Sequence, residues 1–208
     1  MPLYALVPAA GRGERFGGPK LLTRWKDREI LAHVLVTLCG ARAAGLLAGI
    51  IVVHRPGDEA VAQLASEYFA YPVEVRDPDG DLSETLRTGI AELRLRDSLL
   101  DRSAALVCLA DQPMLRLDVV QAMIHAWRNG AAAVRPSYRD APGIPGHPML
   151  VDRSLWSLAG ELRGDRGFGP LLERRGFRIQ TVSVAGRNPD IDTTSDLQAL
   201  DPKQSVDA

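Results

Sequence analysis

Apolar and polar positions alternate along this chain in two rhythms. Residues 3–8 form a short continuous apolar run of strand length, closed by a glycine-rich stretch over 9–18. Residues 30–42 repeat their apolar positions at helical spacing, and 49–54 is a β-branched run that reads as a strand. Residues 57–69 predict a helix, 72–76 a short strand, and 83–96 a helix opened by a Ser83 cap. An apolar strand over 104–110 ends at Asp111, a helix covers 117–129, and 131–135 predicts a further strand. The rhythm then changes. Residues 136–148 hold four prolines and two glycines and predict a structured loop or crossover. Residues 149–151 read as an edge strand, 164–169 as a second glycine-rich turn and 177–184 as a strand.

Strand–helix alternation implies βαβ units, and so an α/β fold. The expectation is a Rossmann-like three-layer α/β/α domain over residues 1–200, with a mostly parallel mixed sheet. A polar tail over 201–208 is expected to fray. In open sheets of this kind ligands sit beyond the carboxyl ends of the strands. Two polar loops fall at such ends: the glycine-rich stretch and Asp111-Gln112-Pro113.

Composition narrows the function. The chain has 208 residues, 46% apolar and 25% charged, enough for a sizeable core without disulfides or a structural metal. Lys plus Arg number 25 against 26 Asp plus Glu, a formal net charge of −1, which argues against a strongly basic nucleic-acid binder. Trp25, Trp127 and Trp156 are scattered and do not form a base-stacking platform. Cys39 and Cys108 sit in apolar runs without paired metal-ligand spacing and are expected to be buried free thiols. His33, His54 and His125 are expected to be structural or solvated. The start lacks a basic leader and no apolar run spans a bilayer, so a cytoplasmic protein without membrane contact is expected.

The glycine-rich segment carries the sharpest chemistry. It reads Pro8-Ala9-Ala10-Gly11-Arg12-Gly13-Glu14-Arg15-Phe16-Gly17-Gly18-Pro19-Lys20. Small residues let the backbone approach a ligand, free N–H groups cradle phosphate oxygens, and Arg15 and Lys20 add positive charge. A dinucleotide fingerprint needs G-x-G-x-x-G, but the glycines here fall at 11, 13, 17 and 18; a Walker loop needs Ser or Thr after Gly-Lys, but Leu21 follows Pro19-Lys20.

The segment resembles the signature of the MobA-like nucleotidyltransferases, Leu-Ala-Ala-Gly-x-Gly-x-Arg-x-Gly-x-Pro-Lys. The likeness continues through Asp111-Gln112-Pro113, Gly146-His147-Pro148, Gly164-Asp165-Arg166-Gly167 and Asp190-Ile191-Asp192-Thr193-Thr194-Ser195-Asp196-Leu197. Within that family the set looks most like the molybdenum cofactor cytidylyltransferases, because Ala9-Ala10-Gly11 matches the cytidylyl form. Pro8 departs from the usual Leu and resembles the methylerythritol phosphate cytidylyltransferases, but their Asp-Ala-Ala-Arg-Pro element is absent. The middle motif departs too: Thr85 stands where Ser is usual, and the first glycine is displaced to Gly80.

The resemblance implies transfer of CMP from CTP to the terminal phosphate of molybdopterin, with release of pyrophosphate. It implies catalytic roles for Lys20, Arg15 and Asp111. Nucleotide contacts would come from Ala9, Ala10, Gly11, Arg12, Gly13, Gly17, Gly18 and Thr85. Gly146, His147, Pro148, Asp165 and Asp192 would face the acceptor. Mg²⁺ would be held by Asp111, with Asp190 or Asp192 completing its shell. A transient contact with a molybdenum hydroxylase or its chaperone would follow. Other readings keep the pocket: GTP or another NTP as donor, another phosphorylated metabolite as acceptor, a nicotinamide-dependent oxidoreductase, or a non-catalytic cofactor-binding protein. On the residues alone, Asp192 also fits a plain helix cap, with Thr193 or Thr194 opening a final helix and Asp196 in its first turn.

Overall fold

The first strand, β1 (Leu3–Pro8), lies at the centre of the sheet, and its alternating side chains feed two different cores. Leu3, Ala5 and Val7 point into one layer and Leu6 into the other, as expected of a strand buried on both faces. The computed structural model describes residues 1–77, 79–96 and 102–200. The further elements are β2 (Arg24–Trp25), β3 (Arg28–Glu29), α1 (Ile30–Ala43), β4 (Gly49–His54), α2 (Glu59–Glu67) and β5 (Tyr71–Glu74). They continue through α3 (Leu82–Arg96), β6 (Ala104–Val107), α4 (Leu117–Arg128), β7 (Ala133–Tyr138), β8 (Met149–Asp152), α5 (Phe168–Arg174), β9 (Gln180–Val184) and α6 (Thr194–Ala199). Among the described residues no helix is long and apolar enough to cross a membrane. The expected 201–208 tail lies outside the described residues.

Seven strands form one sheet in the order β5-β4-β1-β6-β8-β7-β9, and β2 pairs with β3 in a separate hairpin. Among the described residues only β8 runs antiparallel to its neighbours in the large sheet, and the other pairings there are parallel. The sheet is the mostly parallel mixed sheet expected. From β1 the chain winds outward to β4 and β5, then returns to place β6 on the other side of β1. The carboxyl ends of β1 and β6 therefore flank a topological switch point, where open α/β sheets leave a crevice.

Helices α1, α2 and α4 cover one face, around Leu35, Leu38, Val120 and Trp127. Helices α3 and α5 and a 3-10 segment over Arg153–Glu161 cover the other, around Leu86, Ile90, Trp156 and Leu172. Gly89 lets α3 approach the sheet: a Cβ there would lie 2.2 Å from Leu6 Cδ1.

Several boundaries differ from expectation. The strand expected over 104–110 leaves the ladder after Val107, although the Cys108 N–H still donates to the Leu6 carbonyl at 2.9 Å. The strand expected to end at Arg135 runs on through Pro136 to Tyr138; the antiparallel ladder with β8 covers only Ala133 and Val134, so Pro136 withholds no donor from it. Residues 149–151 are not an edge. β8 is wedged between β6 and β7 with Met149, Leu150 and Val151 all buried, and β9 takes the edge with mostly exposed side chains. Asp81, not Ser83, caps α3, accepting from the Glu84 N–H at 3.1 Å while the Ser83 hydroxyl donates to it. Both cysteines are free, but only Cys108 is buried; Cys39 is half-buried and its thiol donates to the Tyr68 carbonyl.

Candidate active site

The glycine-rich segment leaves β1 as a continuation of the sheet: the Ala9 N–H donates to the Val53 carbonyl at 2.7 Å, and Ala9 and Ala10 are buried. Gly11 then turns outward. Gly13 takes the left-handed conformation at φ 63°, and a Cβ there would meet the Gly18 carbonyl oxygen at 3.3 Å. The loop thus folds back on itself through a 3-10 turn over Glu14–Phe16, closed by Gly17 at φ 78°. Its return delivers Lys20, whose N–H donates to the Gly18 carbonyl at 2.8 Å.

A small apolar cluster anchors both the loop and the acidic residues. Trp25, Ile30 and Ile191 are buried together, with Phe16, Met114 and Leu197 packed against them. Three of these anchors lie close in sequence to charged motif positions: Phe16 follows Arg15, Met114 lies three residues after Asp111, and Ile191 separates Asp190 from Asp192. Ile191 is fully buried and its N–H donates to the Asp111 carbonyl at 3.0 Å. With Ile191 turned into the cluster, both flanking carboxylates line the cleft.

The cleft has a volume of about 620 Å³ and lies at the switch point between β1 and β6. It brings together most of the residues the motifs singled out: Ala9, Ala10, Gly11, Arg12, Gly13, Arg15, Lys20, Thr85, Asp111, Asp165, Asp190 and Asp192 all line it. Gly17 and Gly18 are not in its wall; they shape the loop behind it. Gly146, His147 and Pro148 are not in the wall either. His147 lines a small adjoining apolar cavity with Leu82, Leu109 and Phe168, and Leu82 and Leu109 line both spaces. Gly146 is clamped: a Cβ there would lie 2.6 Å from the Pro136 carbonyl oxygen.

The charged groups are paired across the cleft. Lys20 Nζ lies 2.6 Å from Asp111 Oδ2 and 3.5 Å from Asp192 Oδ1, and Arg15 reaches Asp192 Oδ2 at 3.1 Å. Arg12 pairs with Asp79. Asp190 opens onto the cleft, yet the protein packed around it removes enough water to raise its pKa, and the Asp111 charge adds to the effect. Burial lowers the pKa of His147 against the opposing pull of Asp111, and its Nδ1 is buried without a partner. The Thr85 hydroxyl donates to the Asp81 carbonyl, and the Leu82 N–H donates to Asp165 Oδ1 at 3.4 Å, docking the 164–167 turn on the start of α3. Thr193 caps α6 in a capping box with Asp196, so Asp192 lies outside that helix and its carboxylate faces the cleft, where Lys20 and Arg15 meet it.

Sequence reasoning missed the layer behind the aspartates. Gln112 Nε2 donates to Asp190 Oδ1 at 2.7 Å, and Asn188 Nδ2 donates to Gln112 Oε1 at 3.0 Å. The signal available was the position of Gln112 next to Asp111.

Three oxyanions beside one lysine and one arginine leave an excess of negative charge where a triphosphate is expected to sit. A divalent cation meets that need with one or two carboxylates plus phosphate oxygens. Among the described residues no three His, Cys, Asp or Glu side chains form a ready metal cage. Carboxylates together with phosphate oxygens make an all-oxygen donor set of the kind hard divalent cations take.

A family model described as the MobA-like NTP transferase domain matches residues 5–181. The 2-C-methyl-D-erythritol 4-phosphate cytidylyltransferase of Streptomyces avermitilis is 30% identical over 161 residues, covering 71% of this chain and 61% of the relative. The chain thus spans less than two thirds of that relative's length. The crystal structure of Rv0371c from Mycobacterium tuberculosis superposes with a TM-score of 0.78 at 26% identity, covering 96% of this chain and 98% of that one. The same protein in complex with manganese gives a TM-score of 0.75 at 25% identity over 96% and 97% of the two chains.

Proposed function

This chain belongs to the MobA-like NTP transferase family, and from that premise we propose that it transfers CMP from CTP to the terminal phosphate of molybdopterin. The observation that carries the reading is the Lys20 ammonium held between Asp111 and Asp192 beside the glycine-rich loop. That corner joins a phosphate-binding backbone to a cation-holding pair of carboxylates.

An oxygen of the acceptor phosphate forms a bond to the α-phosphorus of CTP. The bond from that phosphorus to the bridging β-phosphate oxygen breaks, and pyrophosphate leaves with the electron pair. A phosphate monoester is already largely dianionic near neutral pH, since its second pKa is about 6. No general base is therefore required, and the protein's task is alignment and charge stabilisation. Backbone N–H groups of residues 11–15, the part of the loop that lines the cleft, hold the triphosphate, Lys20 leaves its carboxylates to meet the α-phosphoryl oxygens, and Arg15 meets the departing pyrophosphate. Mg²⁺, held by Asp111 with Asp190 or Asp192, would supply neutralisation of the phosphate charge. Thr85 at the inner wall and Asp165 at the rim border the base and acceptor sides. The acceptor's later recipient, a molybdenum hydroxylase or its chaperone, belongs to the same proposal.

A second acceptor is favoured by one observation: the Streptomyces relative is named for 2-C-methyl-D-erythritol 4-phosphate. Against it, this chain reads Asp111-Gln112-Pro113 and lacks the Asp-Ala-Ala-Arg-Pro element. Incubation with CTP and each acceptor in turn, with product masses read directly, separates the two. A CMP adduct of molybdopterin is expected; an adduct of the sugar phosphate alone would replace the first reading with the second.

A further inference from the structure

Behind the cleft, four polar side chains form a line from Asp190 to the β7–β8 turn. Gln112 Nε2 donates to Asp190 Oδ1, and Asn188 Nδ2 donates to Gln112 Oε1. Asn188 neighbours the Tyr138 phenol and draws its pKa down against burial, and the Tyr138 hydroxyl donates to the His147 carbonyl at 2.8 Å. Gln112, Asn188 and Tyr138 are buried at 6%, 8% and 4% exposure. Burial pushes the Tyr138 phenol up to about 12, so it remains a donor.

The direction of these bonds is constrained by chemistry. An ionised carboxylate oxygen only accepts, so Gln112 must turn its NH₂ toward Asp190. Its carbonyl oxygen is then left facing inward and needs a donor, which Asn188 provides. The arrangement has a cost elsewhere: Asn188 Oδ1 is buried with no partner. A core serving stability alone would lose little by replacing this line with apolar side chains of similar volume. The line also ends at the backbone of His147, beside the clamped Gly146, and so ties the acidic corner to the turn lining the adjoining cavity.

We propose that Gln112 and Asn188 are positioning residues. They form an amide relay that fixes the Asp190 carboxylate for a divalent cation shared with Asp111. This rests on the reading of the aspartates as the cation-holding corner. Gln112 touches neither nucleotide nor acceptor in this scheme and acts through Asp190, as outer-shell partners of metal ligands do.

The test is Mn²⁺ binding, read from the electron paramagnetic resonance signal of the free ion in the presence of CTP and absence of acceptor. Wild-type protein is expected to take up Mn²⁺. Gln112→Leu, checked for folding by circular dichroism, is expected to bind it about tenfold or more weakly, the scale of losing an outer-shell partner. Asn188→Ala keeps Gln112 but frees its amide to rotate, and a smaller loss in the same direction is expected. It carries the test if Gln112→Leu does not fold. Folded variants within about twofold of wild type would overturn the relay while leaving the cation corner intact. Failure of wild-type protein to bind Mn²⁺ with CTP would overturn the corner and the relay together.

Discussion

Lys20 Nζ and Asp111 Oδ2 stand 2.6 Å apart although 91 residues separate them in the chain. The sheet brings them together: Lys20 returns on the loop after β1, Asp111 follows β6, and those strands are neighbours. Both side chains are partly buried, at 13% and 22% exposure, so the pair is shielded from bulk water more than an ordinary surface bridge. In the resting protein each neutralises the other. In the proposed reaction a metal–triphosphate complex would offer both a better partner, the phosphates to Lys20 and the cation to Asp111.

Lys20→Ala and Asp111→Ala are each expected to lower turnover by about 100-fold or more, the scale of removing one positioned charge stabiliser. Pyrophosphate release at saturating CTP is the readout. Rates near wild type in either variant would remove that residue from the catalytic machinery.

The glycine-rich loop separates room for a ligand from backbone need. A Cβ at Gly11 would meet nothing within 4 Å, and its φ is not left-handed, so the fold does not require glycine there. Gly11→Ala is expected to leave thermal stability unchanged and to weaken CTP binding. Gly13→Ala forces a side chain into a left-handed conformation against the Gly18 carbonyl and is expected to cost ~1–2 kcal/mol of stability. Melting temperature and CTP titration on the two variants distinguish the roles.

Asp190 has a raised pKa in the fold. Its contribution to stability is therefore fully present below its ordinary value of 3.8 and is lost as pH rises through the folded value. Without divalent metal, Asp190→Asn is expected to melt higher than wild type at about pH 7.5 and to lose that advantage toward about pH 3.5. An advantage independent of pH would contradict the assignment.

His147 shifts the other way. Its lowered pKa means the fold favours the neutral imidazole, so its stabilising contribution is present above the ordinary 6.5 and is lost as pH falls through the folded value. His147→Leu is expected to flatten the fall in melting temperature between about pH 7 and about pH 5. Parallel curves for wild type and variant would show that this side chain is not titrating against its surroundings.

The loop was legible because its residues are contiguous: the turn-forming glycines and the returning lysine fall within Gly11 to Lys20. The carboxylates were legible for a related reason. Asp111 ends an apolar strand run, and Asp190 and Asp192 stood out through the contiguous 190–197 stretch that resembles the family's closing motif. The β2–β3 hairpin was not, because strands of two residues carry no periodicity. The interior position of β8 was hidden because a short apolar run reads alike at an edge or between neighbours. The amide relay was hidden most deeply, since Gln112 and Asn188 are 76 residues apart and meet only through the packed fold.

The central claim is CTP-dependent transfer in the cleft between the glycine-rich loop and the aspartates. Its most direct test is pyrophosphate release with molybdenum cofactor and Mg²⁺ present, compared across CTP, GTP, ATP and UTP. Release with CTP alone, abolished in Lys20→Ala, is the predicted result. Release with none of the four, or release undiminished in Lys20→Ala, would contradict it.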